Sequence, residues 1–500
     1  MTNDYDIVII GGSLAGRHAA LAATQLRAKV ALVEPAINPV LIYYHALREI
    51  GNLAQLMGDA VDLGIYPPQA VRVPENYLNG VNTPLVSSPE ESSLSVTWSE
   101  AMRYAQGIVS SATELDSLES LLAQGVDVVT GSGHFQSSPQ LAFNIGSRLL
   151  RSRAYLLASG SVSVAPEIEG LRSVGYLTLA NIWQSLNQPN PPQSWVIIGG
   201  LPQGIEIAQT LVRLGCSVTL ILKQPYILPS VDREIAQLLQ AQLEVEGVRI
   251  LTQTTVTQVR TIAEKKWLQA GDKAIETDEI LVAIEQKPNL ESLNLAAVGV
   301  KWYHHRLVVN EKLQTTNHRI YACGGVIGGY DFPNVANYEA KVALKNILFC
   351  PRLAVNYHPI PWAIFSQPML AQVGLTEAQA KRQYSSDPVL VLRQYFKTVT
   401  VAQIQGQITG VCKLIVRESG EILGAAILGV GSGELINLIG LAISQNIPVQ
   451  QLENLAPIYP SFSEILEQTA REWSRLRLKE NIAWQDFLDS FFHFRRDWNL

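Results

Sequence analysis

The stretch that decides the fold runs from Asp6 to Glu34, DIVIIGGSLAGRHAALAATQLRAKVALVE. Ile7 to Ile10 is a short apolar run of the kind a buried parallel strand needs. Gly11, Gly12 and Gly16 mark the turn that opens a helix, with Ser13 and Ala15 between them. Ala19, Ala20, Ala23 and Leu26 supply the packing face of that helix. Val30 to Val33 is a second apolar run, and Glu34 closes it. Strand, glycine turn, helix, strand and acid in this order form the fingerprint of an adenine dinucleotide site. The turn aims backbone N–H groups and the positive helix end at a pyrophosphate. The acid about 20 residues on hydrogen-bonds a ribose hydroxyl. Ser13 stands where the fingerprint has its middle glycine. It is small and its hydroxyl can donate, so the phosphate contact survives.

Composition sets the outer limits. Five hundred residues suggest about three domains at roughly 100–200 residues each. Hydrophobic content of 47% and charged content of 16% describe a globular chain with a large core. A net charge of −6 gives no basic field and argues against nucleic acid. No apolar run approaches the roughly 18 residues of a membrane span, and MTNDYD is not a signal peptide. Cys216, Cys323, Cys350 and Cys412 are far apart and form neither a CxxC nor a metal pattern. The expected location is cytoplasmic.

Residues 37–50, INPVLIYYHALREI, lead into a helix, residues 67–93 read as a surface loop, and helical pattern resumes through 97–123. GVDVVTGSGHF, LAFNIGS and LLRSRAYLLASGS then read as short strands, the last ending at Ser159-Gly160. After the linker NQPNPPQS at 187–194 the opening unit returns as SWVIIGGLPQGIEIAQTLVRLGCSVTLIL. Gly11, Gly16 and Val30 correspond to Gly199, Gly204 and Val218, with Gly200 beside the first. This implies a second nucleotide-binding domain, altered at two positions. Leu201 replaces the middle glycine, so its side chain is expected to fill the space of the pyrophosphate. Leu222 replaces the acid and Lys223 follows it. NADH thereby loses its ribose partner, while a lysine suits the 2′-phosphate of NADPH. The other reading of this copy is an inherited fold without ligand.

Residues 276–289 return the chain to the first domain. LQTTNHRIYACGGVIGG at 313–329 is a strand and a glycine-rich turn, and NVANYEAKVALKNIL at 334–348 is a helix. Residues 355–470 read as strands, with a turn at Glu418 to Gly420, and then helices, the pattern of a separate interface domain. In the tail, Trp484, Phe487, Leu488, Phe491 and Phe492 recur at helical spacing, with Trp473, Phe494 and Trp498 nearby and Arg471, Arg475, Arg477 and Lys479 before them. Such a helix lies on a membrane surface, binds a protein partner, or packs on its own dimer, the last being the plainest reading. The resulting architecture is α/β, with two Rossmann-like domains, one for FAD (1–150 and 285–350) and one for NAD(P) (151–284). A C-terminal α+β dimerisation domain (351–470) and an aromatic, basic helical tail (471–500) complete it.

The motif series DYDIVIIGG, VTGSGHF, YLLASGS, VIIGGLPQGIEIAQTLVRLG, LPSVDREI, KPNLESLNL, TTNHRIYACGG, VGLTEAQA, GEILGAAILG and YPSFSEILE resembles the pyridine nucleotide–disulfide oxidoreductases. The similarity covers about residues 1–470 and is nearest the dihydrolipoamide dehydrogenase and mercuric reductase-like branch. It implies FAD on the first domain, held at Gly11, Gly12, Ser13, Ala15, Gly16, Glu34, Ser159, Gly160, Gly324 and Gly325. It implies NADPH or NADH on the second, at Gly199, Gly200, Gly204 and Lys223, and a homodimer through the third.

The resemblance also exposes departures. The family's CxxxxC redox pair belongs on the segment that here reads INPVLIYYHALREI, and no cysteine precedes Cys216. A dithiol pair is the electron carrier in that chemistry. His45 falls where the family has a lysine paired with a glutamate, and that glutamate matches Glu206. The family's Gly-Asp, whose Asp holds the flavin's ribityl chain, is Gly324-Gly325 here. Its His-Pro motif, whose His works on the dithiol across the dimer, is Tyr459-Pro460 here, with the partner acid kept as Glu464, and tyrosine is a poor general base at neutral pH. Two readings follow. One is a FAD-dependent oxidoreductase without a redox disulfide, passing electrons from NAD(P)H to a small acceptor such as a quinone or O2. Its candidate catalytic residues are Tyr44, His45, Glu206, Tyr459 and Glu464, with Tyr43 beside the flavin. The other is a non-catalytic dimer serving binding or assembly. Tyr43, Tyr44 and His45 then simply fill space, and Cys323 reads as a small buried residue.

Overall fold

The computed structural model of the chain describes residues 3–33, 40–60, 97–115, 117–303, 306–329 and 332–498. Glu34 and the 67–93 segment lie outside the described residues. The first unit contains β1 (Tyr5–Ile10), α1 (Leu14–Gln25), β2 (Val30–Val33), α2 (Val40–Asp59), β3 (Asp127–Val129) and β4 (Ser152–Leu157). The second contains β5 (Leu177–Thr178), β6 (Ser194–Ile198), α3 (Pro202–Arg213), β7 (Ser217–Ile221), α4 (Arg233–Val245), β8 (Arg249–Leu251) and β9 (Glu279–Val282). The chain then returns through β10 (Ile320–Ala322) and α5 (Pro333–Leu348). The C-terminal unit has β11 (Trp362–Ile364), β12 (Met369–Gly374), β13 (Val389–Tyr395), β14 (Val411–Arg417) and β15 (Ile422–Gly429), followed by helices ending in α6 (Glu464–Glu480) and α7 (Ile482–Asp497).

The two nucleotide-type sheets are copies of one another. The first has order β10-β4-β1-β2-β3 and the second β5-β9-β6-β7-β8. All of these pairs are parallel. Parallel strands covered on both faces must be apolar throughout, and Ile7, Val8, Ile9 and Val30 to Val33 are all 0–1% exposed. The repeat reaches further than the glycine fingerprints. An antiparallel three-stranded meander (133–150) sits between β3 and β4, and another (256–277) sits between β8 and β9.

The boundary at 150/151 falls one strand too early. β4 pairs with β1, Ile10 opposite Leu157, so the first sheet needs residues 152–157. The boundary at 470/471 also moves. α6 crosses it as one helix, and Trp473 is buried in the C-terminal core with Arg477 stacked on its ring. α7 is different, because no residue on it is buried and its aromatic side chains stack on one another in solvent. The third sheet, β11-β12-β15-β14-β13, is antiparallel. Among the described residues no helix is long and apolar enough to cross a membrane.

Candidate active site

The first glycine turn has the geometry its sequence demands. Gly11 has φ +113°, and a Cβ there would lie 2.3 Å from the carbonyl oxygen of Ala158. A Cβ on Gly16 would lie 2.2 Å from the Gly11 carbonyl. Only glycine lets β1, α1 and β4 close up here. Ser13 caps α1, its Oγ accepting from Gly16 N at 3.2 Å, and Ala15 is buried behind it. Ser159 donates to the carbonyl of Asn289, which anchors the return crossing beside Gly160. β10 ends in register with β4, Ala322 opposite Leu157. This brings the Gly324-Gly325 turn to the same sheet edge as Gly11, with Cys323 buried behind it.

The second turn reproduces the first. Gly199 has φ +111°, and its Cβ would lie 2.3 Å from the Ala283 carbonyl. Two details differ. The N–H of Leu201 donates to the Ala283 carbonyl at 3.0 Å, and its half-buried side chain packs against the apolar core. Leu222 is 1% exposed, and its Cδ2 is what a Cβ on Gly200 would strike. The position of the expected acid is therefore a core position, and Lys223 is exposed just beyond it.

Between these two turns α2 packs on α3. Glu206, on α3, is 3% exposed. Its Oε1 accepts from the backbone N–H of Phe365 at 2.8 Å, while Oε2 has no partner among the described residues. Burial pushes the carboxyl up to about 8, with the Phe365 N–H opposing, so Glu206 is neutral at physiological pH. His45 meets the Phe365 ring edge-on at 4.7 Å and tilts against Tyr44 at 4.7 Å. Burial and the nearby Arg48 push its imidazole down to about 4, so it is neutral as well. His45 and Glu206 both contact Phe365, and no hydrogen bond joins them among the described residues.

Arg48, Phe365, Gln209 and Arg213 belong to the same cluster and were not evident from the motifs. The Arg48 guanidinium lies over the Phe365 ring at 4.9 Å. Gln209 and Gln367 exchange hydrogen bonds of 2.6 and 2.8 Å, and the Arg213–Glu246 pair is buried at 2.7 Å. Helical spacing was the available signal. Arg48 follows Tyr44 by four residues, and Gln209 and Arg213 follow Glu206 by three and seven, which puts each set on one face. Tyr43 stacks on Trp183 with centroids 6.0 Å apart. Tyr44 is 3% exposed with a hydroxyl that lacks a partner among the described residues.

Tyr459 and Glu464 stand apart. Tyr459 is 71% exposed. Glu464 closes its own turn by accepting from Ser461 N at 2.8 Å. Neither shares a hydrogen bond or ring contact with Tyr44, His45 or Glu206 among the described residues.

Residues 5–344 match the family model described as pyridine nucleotide-disulphide oxidoreductase, and residues 360–470 match its dimerisation domain. This chain belongs to that family. Similar curated proteins include a mercuric reductase of Staphylococcus aureus, 29% identical over 475 residues, spanning 93% of this chain and 82% of the relative. A dihydrolipoyl dehydrogenase of Synechocystis is 28% identical over 493 residues, spanning 93% and 98%. Among solved structures, the Cu(II) complex of the HOCl-induced flavoprotein disulfide reductase RclA from Escherichia coli shares the fold. It has a TM-score of 0.77 at 22% identity, covering 94% of this chain and 99% of that one.

Members of this family bind FAD and use NAD(P)H, and the residues present fit FAD. The Gly11 turn is the close-approach cradle that a pyrophosphate requires. Tyr44 Oη on α2, Glu206 Oε2 on α3 and Asn337 Oδ1 on α5 are among the buried polar atoms without partners among the described residues. Buried polar atoms left alone cost about 1–3 kcal/mol each, so a polar ligand that satisfies them is favoured. The second turn offers glycine geometry but neither a ribose acid nor a donor from Leu201, a weaker fit to a dinucleotide.

Proposed function

We propose that this protein is a FAD-dependent NAD(P)H oxidoreductase that works without a redox disulfide and delivers electrons directly to a small acceptor. The observation that carries this reading is that no cysteine precedes Cys216, with Glu206 on α3 and His45 on α2 both in contact with Phe365. FAD, when bound, supplies the redox chemistry, taking a hydride equivalent from the nicotinamide and passing electrons on. The chain's residues supply position and protons. The Gly11 turn and α1 orient the pyrophosphate, while Ser159 and Gly160 hold the crossing. Neutral Glu206 holds a transferable proton at its carboxyl group, and Tyr44 offers a buried hydroxyl. With neither an imidazole at position 459 nor a dithiol, acid–base work on a disulfide has no carrier. The buried thiols of Cys216 and Cys412, pushed up to about 12 by burial, are unsuited to exchange. The dimerisation domain supports a homodimer, which we propose acts in the cytoplasm.

A second reading, a dimer retained for binding or assembly, is favoured by the buried Leu222 and the spent Leu201 N–H. One experiment separates the two: a visible absorption spectrum of the purified protein, followed by anaerobic addition of NADPH and NADH. The oxidoreductase reading expects a yellow protein bleached by NADPH in preference to NADH, reoxidised by a quinone or O2 and inert towards lipoamide. Rapid turnover of a disulfide substrate overturns it. A colourless protein that cannot be reconstituted with FAD leaves the assembly reading, with the exposed α7 as its contact surface.

A further inference from the structure

The Gly324-Gly325 turn bears no side chain, yet a carboxylate lies against it. Glu339, on α5, is 6% exposed. Its Oε2 accepts from the backbone N–H of Gly324 at 2.6 Å, and its Oε1 accepts from the Tyr357 hydroxyl at 2.7 Å.

The sheet register says what the turn faces. Ile10, Leu157 and Ala322 lie in one row across β1, β4 and β10. The Gly11 and Gly324 turns therefore leave the same carboxyl edge, two strands apart, about 10 Å at the usual strand spacing. Ligands of open parallel sheets lie along that edge. The expected ribose acid, Glu34, follows β2 on the other side of β1, so the rest of a dinucleotide seated at the Gly11 turn would extend towards β4 and β10, and in FAD that part begins with a polyhydroxyl chain. Carboxylates recognise sugar-type hydroxyls by accepting charge-assisted hydrogen bonds.

Resting on the FAD reading above, we propose that Glu339 is a cofactor-positioning residue whose carboxylate, seated on the Gly324 N–H, accepts from the polyol chain of FAD. It thereby supplies from α5 the acceptor that the turn itself lacks. Tyr357 orients the carboxylate by donating to its other oxygen. Burial and the neighbouring Glu339 raise the Tyr357 phenol, which keeps it protonated and donating.

The test is FAD affinity, read by quenching of flavin fluorescence on titration into flavin-free protein. The proteins are the full-length wild type, Glu339→Ala, Glu339→Gln and the double variant Glu339→Ala/Gly325→Asp. Gly325 is not among the positive-φ glycines, so an aspartate there meets no backbone strain. Losing a hydrogen bond to a charged acceptor predicts about 10- to 100-fold weaker FAD binding for Glu339→Ala. A smaller loss is expected for Glu339→Gln, with recovery of most of the affinity in the double variant. Wild-type affinity in Glu339→Ala overturns the proposal. So does weaker binding that Gly325→Asp fails to restore and that tracks a lowered melting temperature of the flavin-free protein, since Glu339 is then only a turn cap. A wild type that binds no FAD overturns the FAD reading together with this one, whereas tight binding by both wild type and Glu339→Ala overturns this one alone.

Discussion

Replacing Glu206 by glutamine should change how stability depends on pH, and the sign follows from two buried groups shifted in opposite directions. The Glu206 carboxyl titrates near 4.5 in the unfolded chain and near 8 in the fold. Between those values the folded state holds a proton that the unfolded state has released, so stability is lost as pH rises. His45 titrates near 6.5 unfolded and near 4 folded. Between those values the unfolded state holds the extra proton, so stability is gained as pH rises. Each full proton is worth about 1.4 kcal/mol per pH unit. The two slopes cancel between pH 4.5 and 6.5, and only Glu206 acts from 6.5 to 8, where the flavin-free wild type should lose about 2 kcal/mol. Glu206→Gln removes one slope and unmasks the other. Its stability should climb by about 3 kcal/mol from pH 4.5 to 6.5 and stay level above that. Urea denaturation at half-unit steps from pH 4.5 to 8.5 measures both proteins. Subtracting the curves removes every titration they share. A flat difference curve would refute the reasoning, because Glu206 would then carry no raised pKa. His45→Leu, run alongside, should fall steadily across the whole interval.

Three further outcomes are expected. Lys413 is 2% exposed and pairs with Asp232 at 2.9 Å and Glu377 at 2.7 Å, joining α4 to the C-terminal sheet. Lys413→Met leaves Asp232 buried without its cation, while Glu377 keeps Lys381 and Arg393, and should cost about 3 kcal/mol in urea unfolding; a loss under 1 kcal/mol would show the cluster to be solvated. Leu222→Glu restores the acid of the fingerprint in sequence but buries a charge against Gly200. It should cost about 3 kcal/mol or more and should not tighten NADH binding by calorimetry, and a stable variant with improved NADH affinity would contradict this. Truncation before Ile482 removes a helix with no buried residue. The melting temperature should stay within about 2 °C, while binding of a hydrophobic dye falls. A larger drop in melting temperature would mean that α7 packs on the partner subunit.

The sequence alone determined the parts of this protein governed by local rules. Strand–glycine–helix–strand units announce themselves because a backbone at φ above +100° tolerates only glycine and buried parallel strands tolerate only apolar residues. Both copies of the unit and the dinucleotide assignment rest on such rules, FAD in particular follows from the family resemblance, and the lack of a cysteine before residue 216 is read directly. The tertiary structure decided matters that depend on non-local packing. Residues 152–157 look like the start of the second unit, yet they complete the first sheet because β1 needs a parallel neighbour on its other edge. Leu222 reads as a lost ligand but is a core side chain, since the chain leaving β7 turns it inward. Glu206, His45 and Arg48 meet only because Phe365, more than 150 residues downstream, is carried to the α2–α3 crossing by the third domain. The uncharged states of Glu206 and His45 come mainly from desolvation, which no spacing of residues encodes. Glu339 acquires its place in the same way, through a fold that brings α5 against a turn whose own side chains are absent.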